Sequence, residues 1–236
     1  MSDRLERAMS MLLTAAAVVM AAAIGLQAFA PASVRQPGVV LTLDSIPFWR
    51  DALPIGIKEG PIAAPVTIVE MADLECPACR DFQSTLADIR KRYPKKVAIV
   101  FVNYPLAQHR FAIGAARAGE CAARVGAFDR WRDEVYKQQD SLGLKSWGSF
   151  AAAAGISDTA AIATCARDPT PVPLIQAGLK FGTRINLSGT PTIIVNGWRF
   201  SNTPSSDQLR NAIDAELDGR RPVGALTDRD PGSAAR

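Results

Sequence analysis

The stretch "VTIVEMADLECPACRDFQ", residues 66–83, decides the fold because it joins a strand pattern to a helix pattern through two closely spaced cysteines. Val66 to Val69 is a β-branched run, which predicts a buried strand. From Pro77 to Tyr93 the apolar residues recur at the spacing of one helix face. Cys76 and Cys79 therefore lie at the junction between the predicted strand and the predicted helix.

Three interpretations of the pair compete: a zinc site, two inert buried thiols, or a redox couple. Structural zinc needs four ligands, usually two such pairs or one pair with histidines. The remaining cysteines, Cys121 and Cys165, are single residues on separate predicted helices, and His109 is the only histidine. We therefore predict no metal site. Inert thiols are disfavoured because Cys76 opens a helix instead of pointing into one.

Helix position favours the redox couple. Pro77 suits the first helical position, where a missing N–H has no intrahelical partner to lose. Cys76 then becomes the N-cap residue, and its sulfur lies beside free N–H groups and the positive end of the helix dipole, which stabilise a thiolate. Cys79 falls one turn later, turned toward the protein. We predict that Cys76 is the nucleophile and Cys79 the resolving cysteine.

The rest of the chain predicts an α/β sheet with inserted helices. "VAIVFV", residues 97–102, is a second continuous apolar strand. Residues 107–185 show helical patterns separated by glycine and proline. Asn196-Gly197 then joins two short apolar runs, which predicts a hairpin, and Ser206 to Leu217 predicts a last helix.

"VTIVEMADLECPACRDFQ" together with "SGTPTIIVNGW", residues 188–198, resembles the DsbA-like thiol–disulfide oxidoreductases, thioredoxin-fold proteins of the bacterial periplasm. The resemblance covers about residues 55–217 and implies a thioredoxin fold with an all-helical domain inserted at about 107–187. It implies that Pro191 is cis and faces the active disulfide, and that Thr190 helps to bind the substrate chain. It implies no cofactor.

Two further expectations concern the tuning of the pair. Glu70 lies six residues before Cys76, where the family often has a buried acid near the resolving sulfur. It is either a proton acceptor for Cys79 or a strand-end carboxylate that reaches solvent, and the sequence leaves both open. Strong oxidants of the family carry histidine before the second cysteine. This chain has Pro77-Ala78 between its cysteines, so we expect a milder oxidant.

Cys121 and Cys165 lie in the predicted insertion. In an exported domain an even cysteine count favours pairing. We predict a structural disulfide between them that closes a 45-residue loop. The alternative is a second redox-active pair that relays electrons to the first.

The N-terminus predicts export. Residues 9–30 contain no charge over 22 positions, and about 20 apolar residues suffice to cross a bilayer. We favour an uncleaved signal anchor, because Pro31 directly follows the Ala28-Phe29-Ala30 site that a cleaved signal peptide would use. Arg4 and Arg7 precede the span and should stay cytoplasmic. The catalytic domain then faces the periplasm or cell exterior from the inner membrane, or is soluble in the periplasm after cleavage.

The predicted organisation follows from these segments. The chain divides into a cytoplasmic N-terminus (1–8), a transmembrane anchor or signal peptide (9–30), a linker with a short helix near residues 46–51 (31–50), a thioredoxin-like domain (51–218) and a disordered tail (219–236). The net charge is only +4, and the densest basic stretch, residues 90–96, falls at a predicted helix end. We therefore expect no nucleic-acid partner.

The sequence thus predicts thiol–disulfide exchange on exported proteins, with disulfide oxidation as the favoured direction. The expected partners are unfolded or reduced exported proteins and a membrane protein that recycles the redox pair. The alternatives are a reductase or isomerase of the same fold, or a non-enzymatic module that binds a partner or a metal.

Overall fold

Buried apolar runs alternate with amphipathic helices through the part of the chain that this computed structural model describes, residues 42–61, 63–222 and 225–226. The strands are β1 (Thr42–Ser45), β2 (Ile57–Glu59), β3 (Val66–Ala72), β4 (Val97–Asn103), β5 (Thr192–Val195), β6 (Trp198–Phe200) and β7 (Ala225–Leu226). The helices are α1 (Pro77–Arg92), α2 (Ala112–Arg124), α3 (Phe128–Lys137), α4 (Trp147–Ala153), α5 (Thr159–Arg167), α6 (Pro173–Arg184) and α7 (Ser206–Leu217). Two short 3-10 helices span Trp49–Ala52 and Gln139–Ser141.

The strands form one mixed sheet in the order β2-β4-β3-β5-β6-β1-β7. β3 pairs in parallel with β4 and antiparallel with β5. Every residue of β4 is buried, as expected for a continuous apolar strand inside a sheet. Asn196 and Gly197 both have positive φ, 46° and 98°, which is the backbone that a two-residue hairpin turn requires between β5 and β6.

Helices cover both faces of the sheet. On one face, α1 and α7 bury Phe82, Leu86 and Ile213 against β3, β4 and β5. On the other face, Phe181 of α6 and Trp49 pack against β3, β4 and β5. The central strands are thus apolar on both sides, and this explains their unbroken hydrophobic runs.

Helices α2 to α5 form a second core beside the sheet. Trp131 of α3 and Phe150 of α4 lie at its centre, fully buried. The same cluster of buried residues includes Phe101 of β4 and both Cys76 and Cys79. The predicted α/β thioredoxin fold with inserted helices is confirmed. The predicted insertion also included α6, but this helix packs on the sheet, because Phe181 covers the strands.

Short strands extend the sheet beyond the segments that the sequence predicted. β1 lies within the predicted linker 31–50, and it pairs antiparallel with β6, with Leu43 opposite Phe200 in the core. β7 lies within the tail predicted to be disordered and pairs in parallel with β1. The predicted membrane span 9–30 lies outside the described residues. Within the described part of the chain, no helix is both long and apolar enough to cross a membrane.

Cys121 of α2 and Cys165 of α5 form a disulfide, with their Cα atoms 6.2 Å apart. Cys121 is buried in the core of the helical insertion. The bond therefore ties α2 to α5 across the segment that contains α3 and α4. Cys76 and Cys79 are free thiols.

We predict that this disulfide stabilises the insertion. In the chain-entropy model, a closed loop of this length contributes about 4 kcal/mol. Cys121→Ala/Cys165→Ala, made in a Cys76→Ala/Cys79→Ala background so that no other disulfide forms, should lose about that much free energy of unfolding in urea. The background variant is the matched control, and equal midpoints in the two proteins would contradict a structural role.

Candidate active site

The active-site loop runs from the end of β3 to the start of α1, and its geometry follows from Pro77. Proline at the first helical position fixes the entry of α1, so Cys76 is the N-cap residue with an extended backbone (φ −76°, ψ 120°). The Cys76 carbonyl accepts the Arg80 N–H at 3.1 Å, which closes the first turn. The Cys76 side chain therefore lies against the open N-terminal end of the helix.

The surroundings of Cys76 favour its thiolate. Together they lower the pKa of Cys76 to about 5. The largest cause is the hydrogen bond with the Cys79 side chain, and the backbone N–H groups of Cys79 and Ala78 act in the same direction. Burial opposes them, since a low-dielectric surrounding disfavours charge. The N-terminus of α1 thus favours the thiolate through its backbone N–H groups, without a side-chain capping hydrogen bond.

Cys79 is the opposite case. It is fully buried, and burial raises its pKa well above the usual range. Its hydrogen bond to Cys76 and the nearby negative charges of Cys76 and Glu70 act in the same direction. One N–H, from Asp73, counteracts them. The two sulfurs of one motif therefore differ by several pKa units, with the proton held by Cys79.

The loop before β5 faces the pair. The Thr190–Pro191 peptide bond is cis, and the Cys76 sulfur lies 3.3 Å from the Thr190 carbonyl oxygen. The Thr192 hydroxyl donates to the Gly189 carbonyl at 2.7 Å and so braces the loop. The structure thus brings Thr190 and Pro191 to Cys76, although more than a hundred residues separate them in the chain.

Glu70 lies inside the protein beneath the pair. Its exposed fraction is 0%, so the carboxylate does not reach solvent. Oε1 accepts a hydrogen bond from Gln83 Nε2 at 2.9 Å, while Oε2 has no hydrogen-bond partner. Gln83 Nε2 also lies 3.4 Å from the Cys79 carbonyl, so it links the carboxylate to the first turn of α1. Burial raises the pKa of Glu70 to about 7.

A partly buried ion-pair network limits how far burial raises the pKa of Glu70. Arg132 of α3, almost fully buried, pairs with Glu59 of β2, and Arg90 of α1 lies 3.0 Å from the same carboxylate. The positive charge of Arg132 is the largest influence that lowers the Glu70 pKa against burial, and the Glu59 charge raises it. The helical insertion therefore contributes to the protonation of a residue on the central sheet.

Sequence reasoning missed two buried residues that hold the active-site loop. Gln139 donates its amide to the carbonyls of Leu74 and Cys76, at 3.0 and 3.1 Å. Asp73 binds the loop through both its backbone and its side chain. Nothing in the spacing of Gln139 could have indicated this contact, because it comes from the inserted helices.

No group of three or more His, Cys, Asp or Glu side chains is placed to hold a metal ion within the described part of the chain. Cys76 and Cys79 share their surroundings with N–H donors and one buried carboxylate. This arrangement suits transfer of a proton and exchange of a disulfide, with one activated sulfur and one protonated sulfur in contact.

The fold and this dithiol define a thioredoxin-fold thiol–disulfide oxidoreductase. A protein-family model described as "Thioredoxin" matches residues 55–215, and the chain belongs to that family. The matched segment begins before β2 and ends within α7, so it includes the cysteine pair, the insertion and the cis-proline loop.

Solved structures share the fold. BdbD from Bacillus subtilis in its oxidised form superposes with a TM-score of 0.64 at 24% identity, covering 71% of this chain and 95% of that one. α-DsbA1 from Wolbachia pipientis gives 0.61 at 19% identity, covering 71% and 93%. The catalytic domain of ScsC from Proteus mirabilis gives 0.60 at 21% identity, covering 72% and 96%. At these identities the likeness concerns the fold.

Curated relatives match in sequence over one segment. A protein named Na(+)/H(+) antiporter NhaA 1, from Mycolicibacterium gilvum, is 30% identical over 155 residues, which cover 64% of this chain and 25% of the relative. NhaA 3 from Salinispora tropica is 32% identical over 155 residues, covering 65% and 24%. This chain spans about a quarter of the length of these relatives, and their name describes the whole proteins.

We predict that Glu70 makes stability depend on pH. Because its folded pKa is raised from 4.5 to about 7, its contribution is fully present below pH 4.5 and is lost as the pH rises through 7. Glu70→Gln should therefore be more stable than the wild type at about pH 8, by up to ~3 kcal/mol, and should match it at about pH 4.

Urea unfolding across this pH range measures the effect. Asp88→Asn, at an exposed position of α1, serves as the control and should leave the curve unchanged. Parallel pH profiles for Glu70→Gln and wild type would contradict a buried carboxylate with a raised pKa.

Proposed function

We propose that this protein oxidises pairs of thiols in exported proteins by thiol–disulfide exchange at Cys76 and Cys79. The observation that carries the proposal is the contrast between the two sulfurs, a Cys76 thiol with its pKa lowered to about 5 and a buried Cys79 thiol with its pKa raised. A stabilised thiolate favours the reduced form of the pair at neutral pH. The oxidised pair then tends to accept electrons from a substrate dithiol.

The exchange proceeds in two steps. A thiolate of the substrate attacks Cys76 of the Cys76–Cys79 disulfide, forming a mixed disulfide, and Cys79 leaves and takes up a proton. The second thiolate of the substrate then attacks the substrate sulfur that is bonded to Cys76 in the mixed disulfide. The substrate gains a disulfide, and Cys76 departs as the stabilised thiolate.

Glu70 is the proton donor and acceptor for Cys79 in this scheme. Its carboxylate is linked to the first turn of α1 through Gln83, and its negative charge raises the pKa of Cys79. A pKa of about 7 leaves the carboxyl group able both to give and to take a proton near neutral pH. Thr190 and Pro191, beside Cys76, would hold the substrate backbone at the attacked sulfur.

The location and partners belong to the same proposal. The charge-free segment 9–30 would anchor the domain to the inner membrane, with residues 51–218 outside the cytoplasm, where disulfides persist. A periplasmic thioredoxin-like protein from Salmonella enterica shares the fold, with a TM-score of 0.57 at 20% identity. A membrane redox protein would regenerate the disulfide after each cycle.

We predict a reduction potential between those of thioredoxin and DsbA. Their nucleophilic cysteines have pKa values of about 7 and 3.5, and their potentials are about −270 and −120 mV. One pKa unit corresponds to about 30 mV, so a Cys76 pKa of about 5 places the potential at roughly −210 to −170 mV. Equilibration with a glutathione buffer measures it.

Ala78→His is the matched variant for this prediction. Histidine before the second cysteine should stabilise the thiolate further, lower the Cys76 pKa and raise the potential by about 30 mV for each unit. A wild-type potential near −270 mV, the thioredoxin value, would instead favour the reductase alternative.

We predict that Cys79→Ala accumulates mixed disulfides with exported proteins in cells, because the Cys76 thiolate can still attack a disulfide of such a protein, releasing one of its thiolates, while this chain has no second active-site thiol to displace the product. Non-reducing electrophoresis of the immunoprecipitated protein detects them. Cys76→Ala/Cys79→Ala is the control and should trap none. The absence of trapped species from Cys79→Ala would favour the non-enzymatic binding module.

A further inference from the structure

The turn that follows α3 brings a buried amide to the active-site loop. Gln139 begins the 3-10 helix Gln139–Ser141, just after α3, and only 7% of this residue is exposed. Its Nε2 donates to the Leu74 carbonyl at 3.0 Å and to the Cys76 carbonyl at 3.1 Å. Both N–H bonds of one amide therefore end on the loop that carries the nucleophilic sulfur.

Only the nitrogen end of the amide fits this position. A carbonyl oxygen accepts hydrogen bonds and cannot donate them, so an oxygen placed against Leu74 and Cys76 would meet two acceptors. The NH₂ end has two protons, one for each carbonyl. Both bonds are buried, and a buried carbonyl without a donor is costly, so the Gln139 amide restrains the loop.

The backbone is held on both sides of the Cys76 Cα. On the carbonyl side, the oxygen accepts the Arg80 N–H at 3.1 Å in addition to Gln139, so both of its lone pairs are used. On the amino side, the Cys76 N–H donates to the Asp73 carbonyl at 3.1 Å, and the Tyr136 hydroxyl of α3 donates to the same carbonyl at 3.4 Å. The direction in which Cys76 projects its sulfur therefore depends on contacts from the end of α3.

The first residue of the loop has a separate anchor. The Asp73 carboxylate accepts the Leu106 N–H at 2.8 Å and lies 2.8 Å from His109 Nδ1. Both contacts come from the segment between β4 and α2 and are independent of α3. Removal of the Gln139 amide should therefore loosen the part of the loop around Cys76 while the start of the loop stays attached.

We propose that Gln139 is a positioning residue for exchange at Cys76, holding the Leu74 and Cys76 carbonyls so that the sulfur stays at the N-terminal end of α1. The inference rests on the proposed exchange function and adds a residue that follows α3 to it. In the oxidising direction a substrate thiolate attacks the Cys76 sulfur, a bond between the two sulfurs forms, and the Cys76–Cys79 bond breaks. Cys79 leaves with the electron pair of that bond and takes a proton from Glu70.

Three variants separate the amide from its surroundings. Gln139→Met keeps the length of the side chain and removes both donors. Gln139→Asn keeps the amide but is one methylene shorter, so it should reach at most one of the two carbonyls. Gln138→Met is the matched control, because the neighbouring glutamine donates its amide to Glu134 Oε2 at 2.9 Å and lies outside the active-site loop.

Two measurements on the reduced full-length chain test the role. The ultraviolet absorbance of the thiolate, followed against pH, gives the pKa of Cys76. Alkylation by iodoacetamide, in which the Cys76 thiolate displaces iodide and forms a thioether, gives the rate at which the sulfur attacks. Mass mapping verifies that Cys76 is the alkylated residue and that the Cys121–Cys165 disulfide stays intact.

We expect Gln139→Met to raise the pKa of Cys76 by about one unit, because a sulfur that moves off the helix end loses part of the stabilisation of its thiolate. At about pH 5, where the wild-type thiol is half ionised, alkylation should slow about threefold to fivefold. At about pH 8 both proteins are ionised, and the rates should agree within about twofold. Gln139→Asn should give a smaller shift and Gln138→Met none.

The inference is overturned if the Cys76 pKa is unchanged in Gln139→Met that is folded by circular dichroism, or if Gln138→Met gives an equal shift. If Gln139→Met does not fold, Gln139→Asn decides by the same criterion. Failure of the proposed function has a different signature, because the oxidised wild-type chain would then leave reduced ribonuclease A unoxidised, whatever the Gln139 variants show.

Discussion

The N-terminal turn of α1 is the constraint on which the rest of the site depends. Its free N–H groups need acceptors, and Pro77 leaves the Cys76 sulfur beside them. The same turn carries Cys79 inward, where burial keeps its proton. One helix end thus contributes to both pKa shifts, because N–H donors favour the Cys76 thiolate and burial favours the neutral Cys79 thiol. Exchange in a defined order follows from that difference.

Holding the helix end in place takes contacts from distant parts of the chain. Gln139, next to the insertion helix α3, donates to two carbonyls of the active-site loop. The loop before β5 brings Thr190 against Cys76. The Asp73 carboxylate accepts a hydrogen bond from the Leu106 N–H, in the segment between β4 and α2. The helical insertion therefore does more than cover the thioredoxin core. The positive charge of Arg132, in the insertion, also lowers the pKa of Glu70 on the central sheet. The insertion therefore influences the protonation of a residue close to the cysteine pair.

The sequence predicted those parts of the structure that local chemistry determines. Unbroken apolar runs predicted β3 and β4, Asn196-Gly197 predicted the hairpin, and Pro77 placed Cys76 at the N-cap. β1 was predicted as linker because a four-residue strand is recognisable only from its pairing with β6. The role of α6 was missed since helical periodicity shows that one face is buried but not which surface buries it. The Asp73–His109 contact joins residues 36 apart, and no spacing rule relates them.

The buried Glu70 shows why the site is tuned by its surroundings and not by the motif alone. A carboxylate with an unpartnered oxygen in the core destabilises the folded protein above neutral pH. For stability alone, an apolar residue would be better at this position. In the exchange proposed above, Glu70 would supply the proton that water cannot bring to the buried Cys79. With Ala78 in place of histidine, the motif itself adds no charge beside Cys76. The Cys79 thiol and the N–H groups of the helix end lower the pKa of Cys76, and burial together with the neighbouring Cys76 raises the pKa of Cys79.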